Sequence, residues 1–414
     1  MSVEVITFGC RLNAYESEAI KRRAAEAQLQ NAVVVNTCAV TAEAVRQSRQ
    51  TIRRLRRARP GARIIVTGCA AQTEPQIYAA MPEVDLVLGN TEKLKAESYA
   101  GLQMERVRVN DIMSVRETAA QMVDGFECQT RAFLQVQNGC DHRCTFCIIP
   151  YGRGNSRSVG MGEVVDEALR LTQKGFAEIV LTGVNLTSYG HDLPGSPSLG
   201  MLVRRLLKLV PDIKRLRLSS LDSIEADPLL FAAIAEEERL MPHFHLSAQS
   251  GDDLILKRMK RRHSRADTIA FCRRVRALRP ETAFGADLIA GFPTESEAMF
   301  QNSLDLVADA GLSILHVFPF SPRAGTPAAR MPQLDRQIVR ERAARLRHEG
   351  EAALTARFQA MIGSTREILV EKGNIGHTSC FAPVRFEGQA PQGALVNLAL
   401  TGTKAGKLTG RLAE

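Results

Sequence analysis

The sequence predicts an α/β protein with an N-terminal doubly wound parallel-sheet domain, a partial (βα)6 barrel and a small C-terminal β-barrel. Strand-like and helix-like segments alternate over residues 1–95 and again from residue 131, and such alternation indicates parallel sheets. The last fifty or so residues instead hold short alternating segments punctuated by glycine and proline, which is typical of a small barrel. We therefore place the domains at residues 1–118, 126–358 and 360–414, and the weak periodicity of residues 95–130 predicts a linker between the first two.

Composition and charge limit the classes of protein that fit. The N-terminus lacks a basic stretch followed by an apolar one, and no segment has the apolar length of a membrane span, so we expect a cytoplasmic protein with no membrane contact. In a reducing compartment the nine cysteines are better interpreted as metal ligands and thiols than as disulfides. The net charge of +9 favours a polyanionic partner, but it does not distinguish RNA, DNA and an acidic protein surface.

In the first domain, three predicted strands each end beside a cysteine. The strands at residues 3–7, 32–35 and 63–66 lead to Cys10, Cys38 and Cys69, and a further strand is expected at 84–87. The carboxyl ends of parallel strands meet at one edge of the sheet, where ligands bind. A single cysteine there is more often a small buried apolar residue. Three at equivalent positions favour one iron–sulfur cluster with an open iron.

Another cysteine run follows the first predicted strand of the barrel. Cys140, Cys144 and Cys147 form a C-x3-C-x2-C pattern, which can give three thiolate ligands to one [4Fe–4S] cluster and leave one iron open. The alternative is a zinc knuckle with His142 as its fourth ligand, although zinc sites favour paired C-x2–4-C spacings. The spacing therefore favours the cluster.

These motifs resemble a known family. The C-x3-C-x2-C run is similar to that of the radical S-adenosylmethionine (SAM) enzymes. Together with Thr-Phe-Gly-Cys10-Arg-Leu-Asn, Asn-Thr-Cys38-Ala-Val-Thr and Thr-Gly-Cys69-Ala, it makes nearly the whole chain resemble the methylthiotransferases. The resemblance implies an N-terminal methylthiotransferase domain with an auxiliary [4Fe–4S] cluster, a radical-SAM core with a second cluster, and a C-terminal TRAM domain that binds RNA.

The barrel should have six strands, at residues 132–137, 178–182, 215–219, 243–246, 283–289 and 314–318, with helices between them and a long charged helix at 339–358. Their carboxyl ends are polar and rich in glycine, as expected where barrels of this type carry their chemistry. The resemblance places SAM contacts there and beside the cysteine run, although each is also a plausible plain turn. The implied contacts are Phe146, Thr182, Gly183, Ser219, Ser220, Ile289 and Gly291.

Basic residues provide candidate RNA contacts outside the last domain, which is not strongly basic and contains Glu387 and Cys380. In the run 257–262, contact with phosphate is expected from Lys257, Arg261 and Arg262, and the alternative is a solvated helix face. We expect Cys128 and Cys272 to be a bystander thiol and a core residue, respectively. No histidine or carboxylate pair is expected as the main catalyst.

Two segments resemble one branch of the family. Cys10-Arg-Leu-Asn and Asn-Gly-Cys140-Asp-His-Arg-Cys144 are most similar to the enzymes that modify N6-threonylcarbamoyladenosine in tRNA. The resemblance implies reductive cleavage of SAM, transfer of a methylthio group to C2 of adenosine 37 in the anticodon loop, and a flavodoxin- or ferredoxin-type reductant. The alternatives are methylthiolation of isopentenyladenosine 37 or of a ribosomal protein side chain, and a non-catalytic metal-containing RNA-binding protein.

Overall fold

The structure is a computed structural model that describes residues 3–100, 105–116 and 130–413. Those residues form two compact units. The first takes its residues from Met1–Gly125, Gln135–Gly160 and Ser321–Ala329. The second takes them from Phe126–Leu134, Met161–Phe320 and Arg330–Glu414.

Strands and helices alternate through most of the chain, and strands alone fill its last part. The strands are β1 (Glu4–Thr7), β2 (Ala32–Thr37), β3 (Arg63–Gly68), β4 (Leu86–Leu88), β5 (Val107–Arg108), β6 (Arg131–Gln135), β7 (Gln137–Asn138), β8 (Arg157–Ser158), β9 (Glu178–Thr182), β10 (Arg215–Leu218), β11 (Ser220–Leu221), β12 (His243–Gln249), β13 (Ala283–Ala290), β14 (Leu312–Pro319), β15 (Thr365–Val370), β16 (Ile375–Thr378), β17 (Pro383–Glu387), β18 (Leu395–Lys404) and β19 (Lys407–Leu412). The helices are α1 (Arg11–Glu26), α2 (Ala42–Ala58), α3 (Cys69–Thr73), α4 (Pro75–Ala79), α5 (Ile149–Arg153), α6 (Met161–Gln173), α7 (Leu199–Leu209), α8 (Pro228–Glu236), α9 (Asp253–Arg258), α10 (Arg265–Leu278), α11 (Glu297–Asp309) and α12 (Arg336–Met361).

The first unit is built on a parallel sheet with strand order β1-β2-β3-β4-β5. Every residue of β2 is buried, as expected for a central strand of a sheet that is covered on both faces. The register pairs Thr7 with Asn36 and Thr37 with Gly68, so these three strands end side by side. This alignment confirms the predicted doubly wound sheet and brings the residues that follow the strands to one edge.

One expectation for the first unit needs correction. The weak periodicity of residues 95–130 predicts a linker, but β5 lies within this segment and pairs with β4 as the fifth strand of the sheet. A strand of two residues is too short to show an alternating pattern, which is why the sequence did not reveal it. Cys128 lies outside the described residues.

The second unit contains the partial barrel. Its strands form sheets with orders β10-β9-β6 and β11-β12-β13-β14, and the pairings between β9 and β10 and along β11 to β14 are parallel. The six predicted strands are all present, but the first is divided into β6 and β7, and the third is interrupted at Ser219 between β10 and β11. Cys272 is fully buried on α10, as predicted for a core residue.

The last five strands close into a barrel with order β15-β16-β17-β19-β18. Its core, which includes Val384, Phe386, Leu398 and Leu400, is continuous with apolar residues of α12 and β13. Buried arginines of β10 join the barrel to the rest of the unit: Arg215 pairs with Glu367 at 2.8 Å. This small barrel is the fold expected for a TRAM domain.

No helix in the described part of the chain combines the length and the apolar composition that crossing a bilayer demands.

Candidate functional site

Cys10, Cys38 and Cys69 follow the carboxyl ends of β1, β2 and β3, at the same edge of the sheet. Cys69 begins α3, and Cys10 is the residue that precedes α1. Cys38 and Cys69 are buried and Cys10 is exposed. We call these residues the N-terminal triad. Parallel strand ends thus bring together three thiols that are far apart in the sequence.

The backbone beside these thiols is packed so closely that two positions have room only for glycine. A Cβ built at Gly9 would lie 2.9 Å from the Sγ of Cys38, so this thiol lies against the residue that precedes Cys10. Gly68, just before Cys69, has φ +96°, and a Cβ there would overlap the carbonyl oxygen of Thr37. A larger residue at either position would separate the strand ends.

A buried ion network lies beside the N-terminal triad. The two carboxylate oxygens of Glu16 accept hydrogen bonds from Arg153 at 2.8 and 2.9 Å, and Lys93 donates to the same carboxylate at 2.7 Å. All three side chains are at most 2% exposed. Burial opposes the charge of Glu16, but Arg153 and Lys93 lower its pKa to about 2. One carboxylate therefore faces two basic side chains, and although burial lowers the pKa of Lys93, the network holds more basic groups than acidic ones.

This charge balance suits a thiolate-bound cluster. Burial, and then the neighbouring Cys69 and Cys10, raise the pKa of the Cys38 thiol to about 12, and Arg153 only partly opposes this shift. Burial disfavours the charge of Arg153, but Cys69 and Glu16 raise its pKa well above the usual range. The donor set therefore fits a metal cluster that is ligated by thiolates, with the excess buried cation next to it.

The second triad, Cys140, Cys144 and Cys147, lies in a loop that backbone hydrogen bonds hold in place. Cys140 N donates to the carbonyl of Gly154 at 3.0 Å, and Cys147 N donates to the carbonyl of Cys144 at 3.0 Å. Gly139 has φ +70°, and a Cβ there would overlap the carbonyl oxygen of Asn155. All three cysteines are partly exposed. The short spacing and the exposure fit a cluster with one open iron.

The loop of the second triad is joined to the N-terminal triad within the same unit. Asn90 Nδ2 donates to the carbonyl of Gly152 at 2.5 Å and lies 3.9 Å from the Sγ of Cys69. A Cβ at Gly152 would lie 3.3 Å from the Cβ of Cys69. Arg153, the next residue, ends α5, which directly follows the second triad, so its ion pair with Glu16 connects the two triads.

The residues expected to contact SAM occupy different units. Phe146 lies between two cysteines of the second triad, in the first unit, and is partly buried. The others are in the second unit, where Thr182 ends β9, Gly183 follows it, and Ile289 lies in β13 just before Gly291. Ser219 lies in the interruption between β10 and β11, and Ser220 is the first residue of β11. Within the second unit, these residues thus follow or end barrel strands. Their contacts with SAM stay a prediction.

Ser219 stands out in this set. Its hydroxyl is buried and has no hydrogen-bond partner among the described residues. Burying an unpaired hydroxyl costs roughly 1–3 kcal/mol, so a ligand that bonds to it would recover that cost.

The sequence did not reveal a polar cluster inside the second unit. The Nε2 of His245 (β12) and the Nδ1 of His316 (β14) lie 2.9 and 3.3 Å from the Oδ1 of Asp287 (β13). Burial disfavours the charge of Asp287, but these two histidines hold its pKa at about 2. One ligand atom from each residue lies within 4.8 Å of the others, a donor set that divalent metals accept. His245, Asp287 and His316 each lie in a predicted strand. Only the pairing of β12, β13 and β14 in the folded sheet brings the three side chains together.

The predicted RNA contacts differ in exposure. Lys257 is exposed on α9. The side chain of Arg261 is 8% exposed and pairs with Asp222 at 2.9 Å. Arg262 is half-exposed and pairs with Glu225. Contact of these residues with RNA stays a prediction, and Arg261 has a structural partner already.

Comparison with protein families gives two matches. Residues 134–307 match the Radical SAM superfamily, and residues 2–89 match the Uncharacterized protein family UPF0004.

Several curated relatives match nearly the whole chain. It is 53% identical to "Threonylcarbamoyladenosine tRNA methylthiotransferase MtaB" of Rickettsia prowazekii, over 97% of this chain and 96% of that protein. The protein of the same name from Aquifex aeolicus is 36% identical, over 96% of this chain and 100% of its own length. The "tRNA-2-methylthio-N(6)-dimethylallyladenosine synthase" of Erythrobacter litoralis is 35% identical, over 99% of this chain and 97% of that protein.

Among solved structures, the chain is similar to the radical S-adenosylmethionine methyltransferase TsrM from Kitasatospora setae, with a TM-score of 0.57. The match covers 79% of this chain and 74% of that one at 14% identity. At this identity the similarity concerns the fold alone.

Proposed function

The chain belongs to the tRNA methylthiotransferases of the radical SAM superfamily, and from that premise we propose that it adds a methylthio group to C2 of N6-threonylcarbamoyladenosine 37 in tRNA. Its two [4Fe–4S] clusters and SAM are cofactors of this family. The relative with 53% identity carries the threonylcarbamoyl name, whereas the relative named for dimethylallyladenosine is 35% identical. This difference in identity favours the threonylcarbamoyl substrate.

The observation that carries the proposal is the presence of two cysteine triads in one compact unit. Cys10, Cys38 and Cys69 hold the auxiliary cluster, and Cys140, Cys144 and Cys147 hold the cluster that binds SAM. Each triad supplies three cysteine ligands to a cluster of four irons, so one iron of each cluster has no cysteine ligand. An enzyme that only cleaved SAM would need the second triad alone, whereas transfer of sulfur and a methyl group accounts for both.

The chain's own residues position the reactants and shield them. When bound, the cofactors supply the radical that activates a carbon–hydrogen bond, a step beyond side-chain acids and bases. Phe146 packs against the SAM adenine, which Ile289 and Gly291 also line. Thr182 and Gly183 receive the SAM amino group, and Ser219 and Ser220 lie near its sugar or carboxylate. The unpaired hydroxyl of Ser219 supports this role. Arg153 and Lys93 balance the negative charge of the auxiliary cluster with positive charge from the protein.

The three predicted domains divide this work. Residues 1–118 bind the auxiliary cluster, residues 126–358 form the radical-SAM core, and residues 360–414 bind tRNA as a TRAM domain. The target adenosine lies in the anticodon loop, where an unpaired base can leave the stack without disrupting a duplex. Lys257, Arg261 and Arg262 contact phosphates in this proposal, and a flavodoxin- or ferredoxin-type protein provides electrons.

Counting iron tests the cofactors and mass spectrometry tests the product. Anaerobically reconstituted wild type should hold about eight irons, and the Cys140/Cys144/Cys147→Ala variant about four, at four per cluster. Wild type with SAM and a reductant should add the mass of a methylthio group to threonylcarbamoyladenosine in tRNA. The variant should form no product.

Three outcomes would contradict the proposal. About four irons in wild type and none in the variant would remove the auxiliary cluster. A product at isopentenyladenosine 37 or on a ribosomal protein would move the enzyme to another branch of the family. If the reconstituted protein did not cleave SAM, the result would instead favour a non-catalytic RNA-binding protein.

A further inference from the structure

A small cavity lies in the first unit beside both triads. It has a volume of about 200 Å³ and is lined by Thr73, Glu74, Ile148, Tyr151 and Arg323, among others. Ile148 directly follows Cys147. The hydroxyl of Thr73 donates to the carbonyl of Cys69 at 3.0 Å. The wall of the cavity therefore includes segments that carry a cysteine of each triad.

The loop at residues 321–329 holds Arg323 in this place. At one end, Ala42 N donates to the hydroxyl of Ser321 at 3.2 Å, shortly after Cys38 in the sequence. At the other end, Ala328 N donates to the carbonyl of Thr145 at 2.9 Å, directly after Cys144. The loop is thus attached to the chain near both triads, which fixes the position of its arginine.

The lining of the cavity holds one basic and one acidic side chain, Arg323 and Glu74. The Nε atoms of Arg323 and Arg49 are buried, and neither has a hydrogen-bond partner among the described residues. Both guanidinium groups lie close enough to Tyr78 to lower its pKa, although burial raises that pKa overall and Glu74 raises it further. No ion pair joins Glu74 to either arginine in the described part of the chain. Arg323 therefore reaches the cavity without a carboxylate paired to it among the described residues, and an anionic ligand would give its guanidinium a partner.

Size narrows the choice of ligand. At about 200 Å³ the cavity is smaller than pockets for whole ligands, which have about 300–1,000 Å³. A nucleoside is too large, but a substituent on a base fits.

The relatives of this chain are named for two such substituents on N6 of adenosine. Dimethylallyl is a hydrocarbon and would leave Arg323 and Glu74 without polar partners. Threonylcarbamoyl carries a carboxylate, a hydroxyl and an N–H, which match an arginine, a threonine hydroxyl and a carboxylate.

We propose that this cavity binds the threonylcarbamoyl substituent, with Arg323 on its carboxylate and Thr73 and Glu74 facing its hydroxyl and N–H. This inference rests on the proposed function, and it makes Arg323 the residue that distinguishes a charged N6 substituent from an apolar one. A planar guanidinium can bind a carboxylate through two parallel hydrogen bonds, which lysine cannot reproduce.

The test compares two forms of one tRNA, because a phosphate of the RNA backbone is the other anion that Arg323 could bind. One form carries threonylcarbamoyladenosine at position 37 and the other carries unmodified adenosine. The reconstituted full-length enzyme is prepared as wild type, Arg323→Met, Arg323→Lys and Arg204→Met. Arg204 pairs with Glu236 on the exposed side of α7, so it controls for loss of an arginine elsewhere. Iron content and SAM cleavage without tRNA check that each variant is folded.

Wild type should bind the modified tRNA more tightly than the unmodified one. Arg323→Met should lose this preference, with a KM for modified tRNA raised about 10- to 100-fold, the loss expected for a hydrogen bond to a charged group. Its affinity for unmodified tRNA should not change. Arg323→Lys should retain part of the preference and Arg204→Met all of it.

Two results would overturn the inference while leaving the proposed function intact. Equal loss of affinity for both tRNAs in Arg323→Met would assign the arginine to a backbone phosphate. An unchanged preference in that variant would show that the substituent binds elsewhere. Failure of the wild type to prefer or modify the threonylcarbamoyl tRNA would instead overturn the proposed function and this inference together.

Discussion

The two cysteine triads of the first unit are built in opposite ways. The N-terminal triad gathers one cysteine from each of three strand ends, mostly buried, beside the ion network of Glu16, Lys93 and Arg153. The second triad is a short run of sequence, partly exposed, that backbone hydrogen bonds hold in place. The first depends on the tertiary fold and on buried charge, and the second mainly on local chain geometry.

This difference predicts different weaknesses. A site made from distant strands loses its geometry when the core between them is disturbed, whereas a local loop keeps its geometry while its own turn is intact. Variants that affect one triad and spare the other can therefore test the comparison.

The largest effect is expected from Glu16→Gln. Removing this carboxylate leaves Arg153 and Lys93 buried without their anion, which typically costs about 3–5 kcal/mol. Unfolding in urea, followed by circular dichroism, should show this loss, and the iron bound at the N-terminal triad should fall. Glu26→Gln, on the exposed end of the same helix, is the control and should change neither quantity. Wild-type stability and iron content in Glu16→Gln would contradict the role given to the ion network.

Acid should weaken the same network. The pKa of Glu16 is lowered from 4.5 to about 2 in the folded protein, so its stabilisation is complete above pH 4.5 and is lost as the pH falls towards 2. The full contribution is about 3 kcal/mol, of which roughly 60% is gone by pH 3. Urea unfolding of the apoprotein at pH 7 and pH 3 should give a smaller drop for Glu16→Gln than for wild type. Equal drops would mean that Glu16 titrates normally.

Replacing the glycine before a cysteine with alanine should remove the iron from one triad and leave the iron of the other in place. Gly68 and Gly139 both have positive φ, which costs an alanine roughly 1–2 kcal/mol, and a Cβ at either would overlap a carbonyl oxygen. Gly68→Ala should lose the iron of the N-terminal triad and Gly139→Ala that of the second, about four irons each.

Gly175 provides the matched control for these two variants. It has φ +88°, but no atom lies within 4 Å of the place that a Cβ would occupy, so Gly175→Ala tests the backbone strain without the overlap. Its iron content should equal that of wild type. If Gly68→Ala and Gly139→Ala lost iron from both sites equally, the two triads would not be independent of each other's geometry.

The smallest effect is expected from Phe146→Leu. Stacking of a base on an aromatic ring contributes about 1–3 kcal/mol, and leucine retains part of the contact, so the KM for SAM should rise about fivefold to tenfold. Iron content should stay at the wild-type value because no ligand changes. A KM equal to that of wild type would remove Phe146 from the SAM site.

The sequence predicted both triads for physical reasons that differ between them. The second is local, so its spacing alone was informative. The first was predictable because β1, β2 and β3 alternate with helices and each is followed by a cysteine. The partial barrel and the C-terminal barrel were predicted from the same kinds of periodicity.

Long-range pairing of charges could not be predicted. Glutamate, lysine and arginine usually lie on the surface of a protein. Only the folded chain shows that Glu16, Lys93 and Arg153 form a buried group. The same holds for Arg261, whose place in a basic run favoured RNA contact, although its side chain pairs with Asp222. In the second unit, the cluster of Asp287 with two histidines depends on the order of strands and not on their spacing in the sequence.

Arg153 joins the two triads in a way that bears on how the enzyme matures. Its carbonyl accepts a hydrogen bond from Arg157 in the loop of the second triad, while its guanidinium reaches Glu16 and Asn13 beside the first. A polypeptide that has folded around this arginine has already set the positions of both triads before any iron arrives. We therefore expect iron to enter the two sites in either order, because the same arginine holds both sets of cysteines in place.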